Sequence, residues 1–448
     1  MTLKISISGV RGISGDSLTD EVVSDFSKAF ASFIKKGTIV IGRDSRPSGE
    51  KIKDIFISNL NSLGLNVIYL GICPTPTVQF MVKYLKADGG VIITASHNPA
   101  QWNGLKFARK DGIFLNAEQA NELIRLYEKK EFITSKKAGK TIIQKDPLDP
   151  HVKSVLDCVD IQAIKKRKFK VALDSCNGAG CVITVKLLKG LGCDVVELNT
   201  QQNGKIFPHN PEPIPENLTD LCRKVREMHA DIGFAQDADA DRLAIVTDNG
   251  IAPGEEYTLA VAADHVLSNI RLKAPGAKDL IITNLSTSMM SDDIAAKFGA
   301  RVIRTRIGEV NVAEEMVKQN GVIGGEGNGG VMYPLIGYDR DSLIGISLIL
   351  DALATSNRSI SSLIDSLPKY SIVKKKIDCS SKSEVDSLLS KVRSKFAGEK
   401  LDLTEGIKVI FPKAWVHVRA SNTEPIIRII AEAESREKAL GLINRVID

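Results

Sequence analysis

The chain has 448 residues, 43% hydrophobic and 25% charged, proportions that exclude a disordered chain; at roughly 100–200 residues per domain it holds two to four domains. With 60 basic against 54 acidic residues the net charge is only +6, and aromatics make up 5%, so both the charge excess and the stacking surfaces of a nucleic-acid binder are missing. No run of about 20 uncharged apolar residues occurs, which excludes a membrane-spanning helix.

The N-terminal segment has no apolar core long enough for a signal peptide. Seven scattered cysteines, none in a Cys-x-x-Cys pair, read as reduced thiols, so the expected location is cytoplasmic. In the segment Ser8-Gly9-Val10-Arg11-Gly12, Arg11 is a first candidate phosphate contact. Residues 38–42 form a predicted strand. A helix follows, with Ile52, Ile55, Phe56, Leu60 and Leu63 at helical spacing, and Gly64 stops it. A second strand spans 66–70. A third apolar strand, 90–93, runs into Thr94-Ala95-Ser96-His97-Asn98-Pro99. There Ser96 beside His97 suits either nucleophilic catalysis or simple capping of the next turn. Lys106 lies just beyond, a second candidate phosphate contact.

The same order returns twice. Strand 170–174, helix 182–191 and strand 194–198 precede a third strand, 231–235, which leads into Asp237-Ala238-Asp239-Ala240-Asp241-Arg242. In an extended segment alternate residues point the same way, so the three carboxylates are expected to meet at one point. Like charges crowd together only where a cation neutralises them, and oxygen ligands favour Mg²⁺; the competing reading is a solvated acidic turn. Strand 280–283, helix 292–298 and strand 301–304 precede the third unit's last strand, 322–323, which leads into residues 324–330. In that glycine-rich loop Glu326 and Asn328 are the only side chains able to hydrogen-bond, as sugar hydroxyls require, although a flexible turn has the same composition. Ligands of open α/β sheets bind off the carboxyl ends of strands, so the three loops are expected to face one cleft.

From about residue 370 the pattern changes to strand, helix, strand, loop, strand, helix. The loop Arg419-Ala420-Ser421-Asn422-Thr423-Glu424-Pro425, with Arg428 after it, packs the donors that a phosphate dianion needs, though a plain surface turn is the alternative. The basic runs 165–168 and 374–376 read as solvated faces. The expected fold is therefore α/β: three similar domains with sheets covered by helices, at 1–148, 149–252 and 253–367. A smaller C-terminal α+β domain, 368–448, completes a central cleft.

The order of serine loop, Asp-x-Asp-x-Asp-Arg loop, Gly-Glu loop and Arg-x-Ser-x-Thr-Glu-Pro loop resembles the α-D-phosphohexomutases along essentially the whole chain. That family has four domains around a central cleft. The resemblance implies a phosphoserine at Ser96 and one Mg²⁺ held by Asp237, Asp239, Asp241 and the Ser96 phosphate, with Arg242 beside that phosphate. It implies sugar contacts from Glu326 and Asn328, and a second phosphate site at Arg419, Ser421, Asn422 and Thr423. Lys106, Arg11 and His97 would line the transfer site, Lys106 as a candidate for proton transfer. The implied reaction interconverts a hexose 6-phosphate and a hexose 1-phosphate through a hexose 1,6-bisphosphate. The implied partner is a small phosphosugar, with no nucleic acid or membrane, on a monomer or homodimer.

One departure stands out: several branches carry Ser-Gly-His where this chain has Asn328-Gly329-Gly330. That form, with Gln101-Trp102-Asn103, is similar to a subgroup usually assigned to glucosamine phosphates, beside relatives that act on mannose and glucose phosphates. Two other classes compete. A Mg²⁺-dependent phosphatase needs Ser96 and the aspartates but no second phosphate site, and a non-catalytic sugar-phosphate sensor needs neither the serine nor the full acidic set.

Overall fold

The structure, a computed structural model, describes residues 3–202, 207–420 and 426–447. Each of the first three domains builds its sheet on one plan. Thr38–Arg43 lies between Gly89–Ile93 and Asn66–Ile72, all parallel. Lys170–Asp174 lies in the same way between Ile232–Gln236 and Asp194–Leu198, and Lys278–Asn284 between Gly321–Glu326 and Arg301–Thr305. Gly89–Ile93 and Ile232–Gln236 are buried at every position, as strands covered by helices on both faces must be. Gly64, just beyond the helix Gly49–Ser62, has φ of +87°, which glycine adopts without strain.

The sequence pattern missed the strand after the loop in each unit, and in the first domain also Lys4–Ser6, Gly9–Ile13 and Thr141–Ile143. After every loop the chain returns antiparallel beside the strand it has just left: Trp102–Arg109 beside Gly89–Ile93, Leu243–Val246 beside Ile232–Gln236, and Gly330–Met332 beside Gly321–Glu326. The three loops are thus equivalent hairpin connections at the carboxyl ends of equivalent strands. Among the described residues, the fourth domain is an antiparallel sheet of five strands, not the three expected, with two helices. The missed hairpin, Lys400–Asp402 and Ile407–Phe411, has a first strand of only 3 residues, too short to show a period. Of the basic runs, Lys374, Lys375 and Lys376 lie on the edge strand Ser371–Asp378, where lysines discourage further strand pairing. Lys165, Lys166 and Arg167 form the last turn of Ile161–Arg167, where cations favour the helix dipole.

The domains are not equally separate. The second and third share one apolar core around the helix Ser342–Ser356, buried continuously from Ser342 to Leu353. The first and fourth have cores of their own. His151 pins three segments together: one ring nitrogen is 3.0 Å from Thr77 Oγ1 and the other 3.0 Å from Asp341 Oδ2, with Phe80 stacked on the ring. The fourth domain meets the third through polar groups. Glu432 accepts from the Met289 amide at 2.8 Å, and His417 Nδ1 lies 2.9 Å from Ser286 Oγ. No helix among the described residues is long and apolar enough to cross a membrane, and all seven cysteines are free thiols.

Candidate active site

Ser96 lies three residues beyond the strand Gly89–Ile93, buried and with φ of +51°. A non-glycine residue in that region is held there by its surroundings. The holding groups are Asp44 and Arg46, just after Thr38–Arg43. They form a fully buried ion pair. Arg46 donates to the carbonyl of Ser96 at 2.8 Å and to that of Asn98. Asp44 accepts from Thr94 Oγ1 at 2.6 Å, and the same hydroxyl accepts from the Ser96 amide at 2.8 Å. Replacing Arg46 with methionine leaves the Asp44 carboxylate buried and unpaired. The expected loss is about 3–5 kcal/mol of stability, read as a lowered thermal unfolding midpoint.

Ser96 Oγ donates to Asp237 Oδ2 at 3.0 Å across the domain boundary, and His97 Nδ1 is 3.3 Å away. Asp237, Asp239 and Asp241 are all fully buried, with one carboxylate oxygen from each within 4.8 Å of the others. Their convergence does not come from strand alternation, as the sequence pattern suggested. The strand ends at Gln236, and residues 237–242 form a turn in which Ala240 has φ of +54°. The Asp237 carboxylate accepts from the Asp241 and Arg242 amides, both at 3.1 Å, which closes that turn.

Both neighbouring domains grip this turn. From the first, Thr75 Oγ1 donates to Asp239 at 2.7 Å, and Lys106 Nζ reaches Asp239 at 2.8 Å and Asp241 at 3.1 Å. From the third, Arg340 pairs with Asp241 at 2.6 Å and Ser342 donates to the Ala240 carbonyl at 2.6 Å. Burial raises the Asp237 pKa well above the usual carboxylate range, and its two acidic neighbours add to the rise. Burial opposes ionisation of Asp239 too, but Lys106 overrides it and the pKa falls; Arg340 does the same for Asp241. The Lys106 ammonium resists deprotonation, because the two aspartates outweigh its burial. Burial, with Arg242 and Arg11 nearby, pushes His97 down to about 2, so its imidazole is neutral.

The residues fit a divalent cation. Among the described residues, Asp239 Oδ1 and Asp241 Oδ1 are buried without a hydrogen-bond partner, and an all-oxygen donor set suits a hard ion such as Mg²⁺.

A cavity of about 440 Å³ opens where the four domains meet. Arg11, His97 and Lys106 line it from the first domain and Arg242 from the second. Glu326 and Asn328 line it from the third, and Arg419 and Arg428 from the fourth. Glu326 accepts from Asn284 Nδ2 at 2.8 Å and the Gly308 amide at 3.2 Å. Arg11 donates to Asn98 Oδ1 at 3.2 Å, Arg242 pairs with Glu212 at 3.2 Å, and Arg419 lies 3.5 Å from Glu405. Ser421, Asn422 and Thr423 lie outside the described residues.

Among the residues of this region that escaped the sequence reading are Arg46, Thr75 and Arg340. Arg46 had a usable signal, since Asp44-Ser45-Arg46 also follows a strand's carboxyl end. The others carry no local pattern.

Comparison with known proteins matches the four-domain architecture. Residues 3–134, 149–250 and 254–370 match alpha/beta/alpha domains I, II and III of the phosphoglucomutase/phosphomannomutase family, and 374–448 match its C-terminal domain. A phosphoglucomutase/phosphomannomutase of Thermococcus kodakarensis is 40% identical over 440 residues, covering 96% of this chain and 94% of that one. A phosphoglucosamine/phosphogalactosamine mutase of Sulfurisphaera tokodaii is 35% identical over 444 residues, covering 98% and 97%. The crystal structure of a phosphoglucomutase/phosphomannomutase family protein from Burkholderia thailandensis has a TM-score of 0.85 at 27% identity, covering 99% of this chain and 96% of that one. Four matched domains in order, on a chain covered almost end to end, place this protein in the phosphoglucomutase/phosphomannomutase family of α-D-phosphohexomutases.

Proposed function

We propose that this phosphohexomutase interconverts glucosamine 6-phosphate and glucosamine 1-phosphate, with Ser96 carrying the phosphoryl group between two transfers. The observation that carries the reading is the contact of Ser96 Oγ with the buried aspartate cluster at 3.0 Å, beside a cavity walled by all four domains. In the first transfer the bond from phosphorus to Ser96 Oγ breaks as a bond to the free sugar hydroxyl forms; the hydroxyl loses its proton and Ser96 Oγ takes one up. The product is the hexose 1,6-bisphosphate. After it reorients, Ser96 Oγ gives up its proton as it bonds to the other phosphorus, the bond from that phosphorus to the sugar oxygen breaks, and the sugar oxygen takes a proton.

Asp237, Asp239 and Asp241 would hold Mg²⁺, which when bound neutralises charge on the transferring group. Arg11, half-buried, and Lys106, buried, present fixed cations to the same phosphate from the cavity wall. Lys106, protonated between two carboxylates, serves as a cation and not as a proton acceptor. His97 Nδ1, 3.3 Å from Ser96 Oγ, is near enough to hydrogen-bond that hydroxyl and orient it, while the burial that keeps the imidazole neutral also makes it a weak base. Arg419 and Arg428 supply the charge that anchors the phosphate not being transferred.

Support for an amino sugar comes from the Sulfurisphaera tokodaii relative and from a relative in Methanopyrus kandleri named probable phosphoglucosamine mutase, 33% identical. A second reading, glucose and mannose phosphates, is favoured by the name of the 40% identical relative. Comparing kcat/KM for glucosamine, glucose and mannose 6-phosphates decides between them. The expected order puts glucosamine first; a clear preference for glucose or mannose overturns the substrate and leaves the reaction class. Release of inorganic phosphate without any sugar 1-phosphate overturns the class in favour of hydrolysis.

A further inference from the structure

Arg340 belongs to none of the loops that end the repeated strands, yet its guanidinium joins two of them. Nη2 donates to Asp241 Oδ2 at 2.6 Å, in the acidic turn. Nη1 donates to Glu326 Oε2 at 2.9 Å, at the end of the strand Gly321–Glu326 where the glycine-rich turn begins. Nε lies 3.1 Å from Glu309 Oε2, and Glu309 also accepts from the Arg340 amide at 3.2 Å. The side chain is 9% exposed and lines the central cavity. Two carboxylates from separate segments therefore hydrogen-bond one planar fork while Glu309 faces it as a charge contact, a geometry that lysine does not reproduce.

Gly330 fits this arrangement. A Cβ at position 330 would come 2.2 Å from Arg340 Cδ and 2.7 Å from Cγ. Those atoms form the stem of the side chain, and the guanidinium beyond them is anchored, so the stem has nowhere to go. Gly330 is not among the positive-φ residues, so close approach explains this glycine and backbone freedom does not. Glu326 depends on the same contact. Its Oε1 takes Asn284 and the Gly308 amide, whereas Oε2 has Arg340 and otherwise, among the described residues, Asn328 at 3.4 Å.

We propose that Arg340 and Gly330 form a matched pair that positions the reaction's sugar-binding carboxylate: Arg340 ties Glu326 to Asp241, and Gly330 vacates the volume that the arginine stem requires. The inference rests on the function proposed above. It makes Arg340 a positioning residue, acting through Glu326 and Asp241. Misplacing a binding group by about 1 Å is enough to cost about a hundredfold in rate.

The test uses the full chain with Mg²⁺ and the sugar 6-phosphate that the wild type turns over best. Arg340→Ala is expected to raise KM about tenfold and lower kcat/KM about a hundredfold. Arg340→Lys keeps a cation in the buried cluster, so it folds as the wild type does, and it regains at most about a tenth of the wild-type kcat/KM. Gly330→Ala falls to the level of Arg340→Ala. The double variant falls no further, because the two changes remove one arrangement. Guanidinium ion at millimolar concentration raises the activity of Arg340→Ala and leaves the wild type unchanged, which a purely structural role does not explain. Wild-type kcat/KM in Arg340→Lys, near-normal activity in Gly330→Ala, or losses that multiply in the double variant each overturn the pairing. A wild type that forms no sugar 1-phosphate sinks the function itself and is seen in the same assay before any variant is compared.

Discussion

Ser96→Ala is expected to lower mutase turnover by about 10⁴-fold or more while the protein stays folded. The substitution removes one oxygen, the atom that would carry the phosphoryl group, and it removes no charge. The loop keeps its shape, because Arg46 holds the main-chain carbonyl of Ser96 and Thr94 holds its amide, and neither contact needs the side chain. The lost hydrogen bond to Asp237 costs about 1 kcal/mol. Formation of sugar 1-phosphate and the thermal unfolding midpoint, measured on one preparation, check both halves. Turnover close to the wild type would remove Ser96 from the mechanism.

Asp239→Asn is expected to abolish the response to Mg²⁺ and to lower turnover by about 10³-fold. Asp239 offers a buried, partnerless Oδ1 to a cation, while its Oδ2 already serves Lys106 and Thr75. The amide preserves shape and removes charge. In the wild type, Mg²⁺ at a hundredfold over its dissociation constant stabilises the fold by about 2.7 kcal/mol, since the ion binds only where the turn has assembled the three carboxylates. Thermal unfolding with Mg²⁺ and with a chelator reads this without reference to activity. Equal stabilisation of Asp239→Asn and wild type by Mg²⁺ would show that the ion binds elsewhere.

The loops that carry these predictions were legible because their signals are local. An apolar strand followed at once by Thr94-Ala95-Ser96-His97 or by three alternating aspartates needs no knowledge of distant residues. The recurrence of strand, helix, glycine and strand was enough to align the loops with one another. Alternation was nevertheless the wrong reason for the aspartates to converge, since the turn at Ala240 brings them together. The return strands after the loops were missed because Gly330–Met332 has only 3 residues and Trp102–Arg109, buried at nearly every position, shows no alternation. The absence of a histidine at position 330 was plain in the sequence. That the stem of Arg340 fills this space was not.

The sequence by itself determined the three repeated units, the fourth unlike them, and the residues that could bear phosphate, metal and sugar, because strand and helix periods and glycine stops are written in adjacent residues. Only the tertiary structure decided which of those residues meet. Ser96 reaches Asp237 across 141 positions of sequence, Thr75 reaches Asp239 across 164, and Arg340 reaches Asp241 across 99. It also decided that the second and third domains share one core around Ser342–Ser356 while the fourth keeps its own. The physical reason is common to both: ion pairs and packing depend on distance in space, and no period along the chain encodes which strand ends will face each other across a cavity.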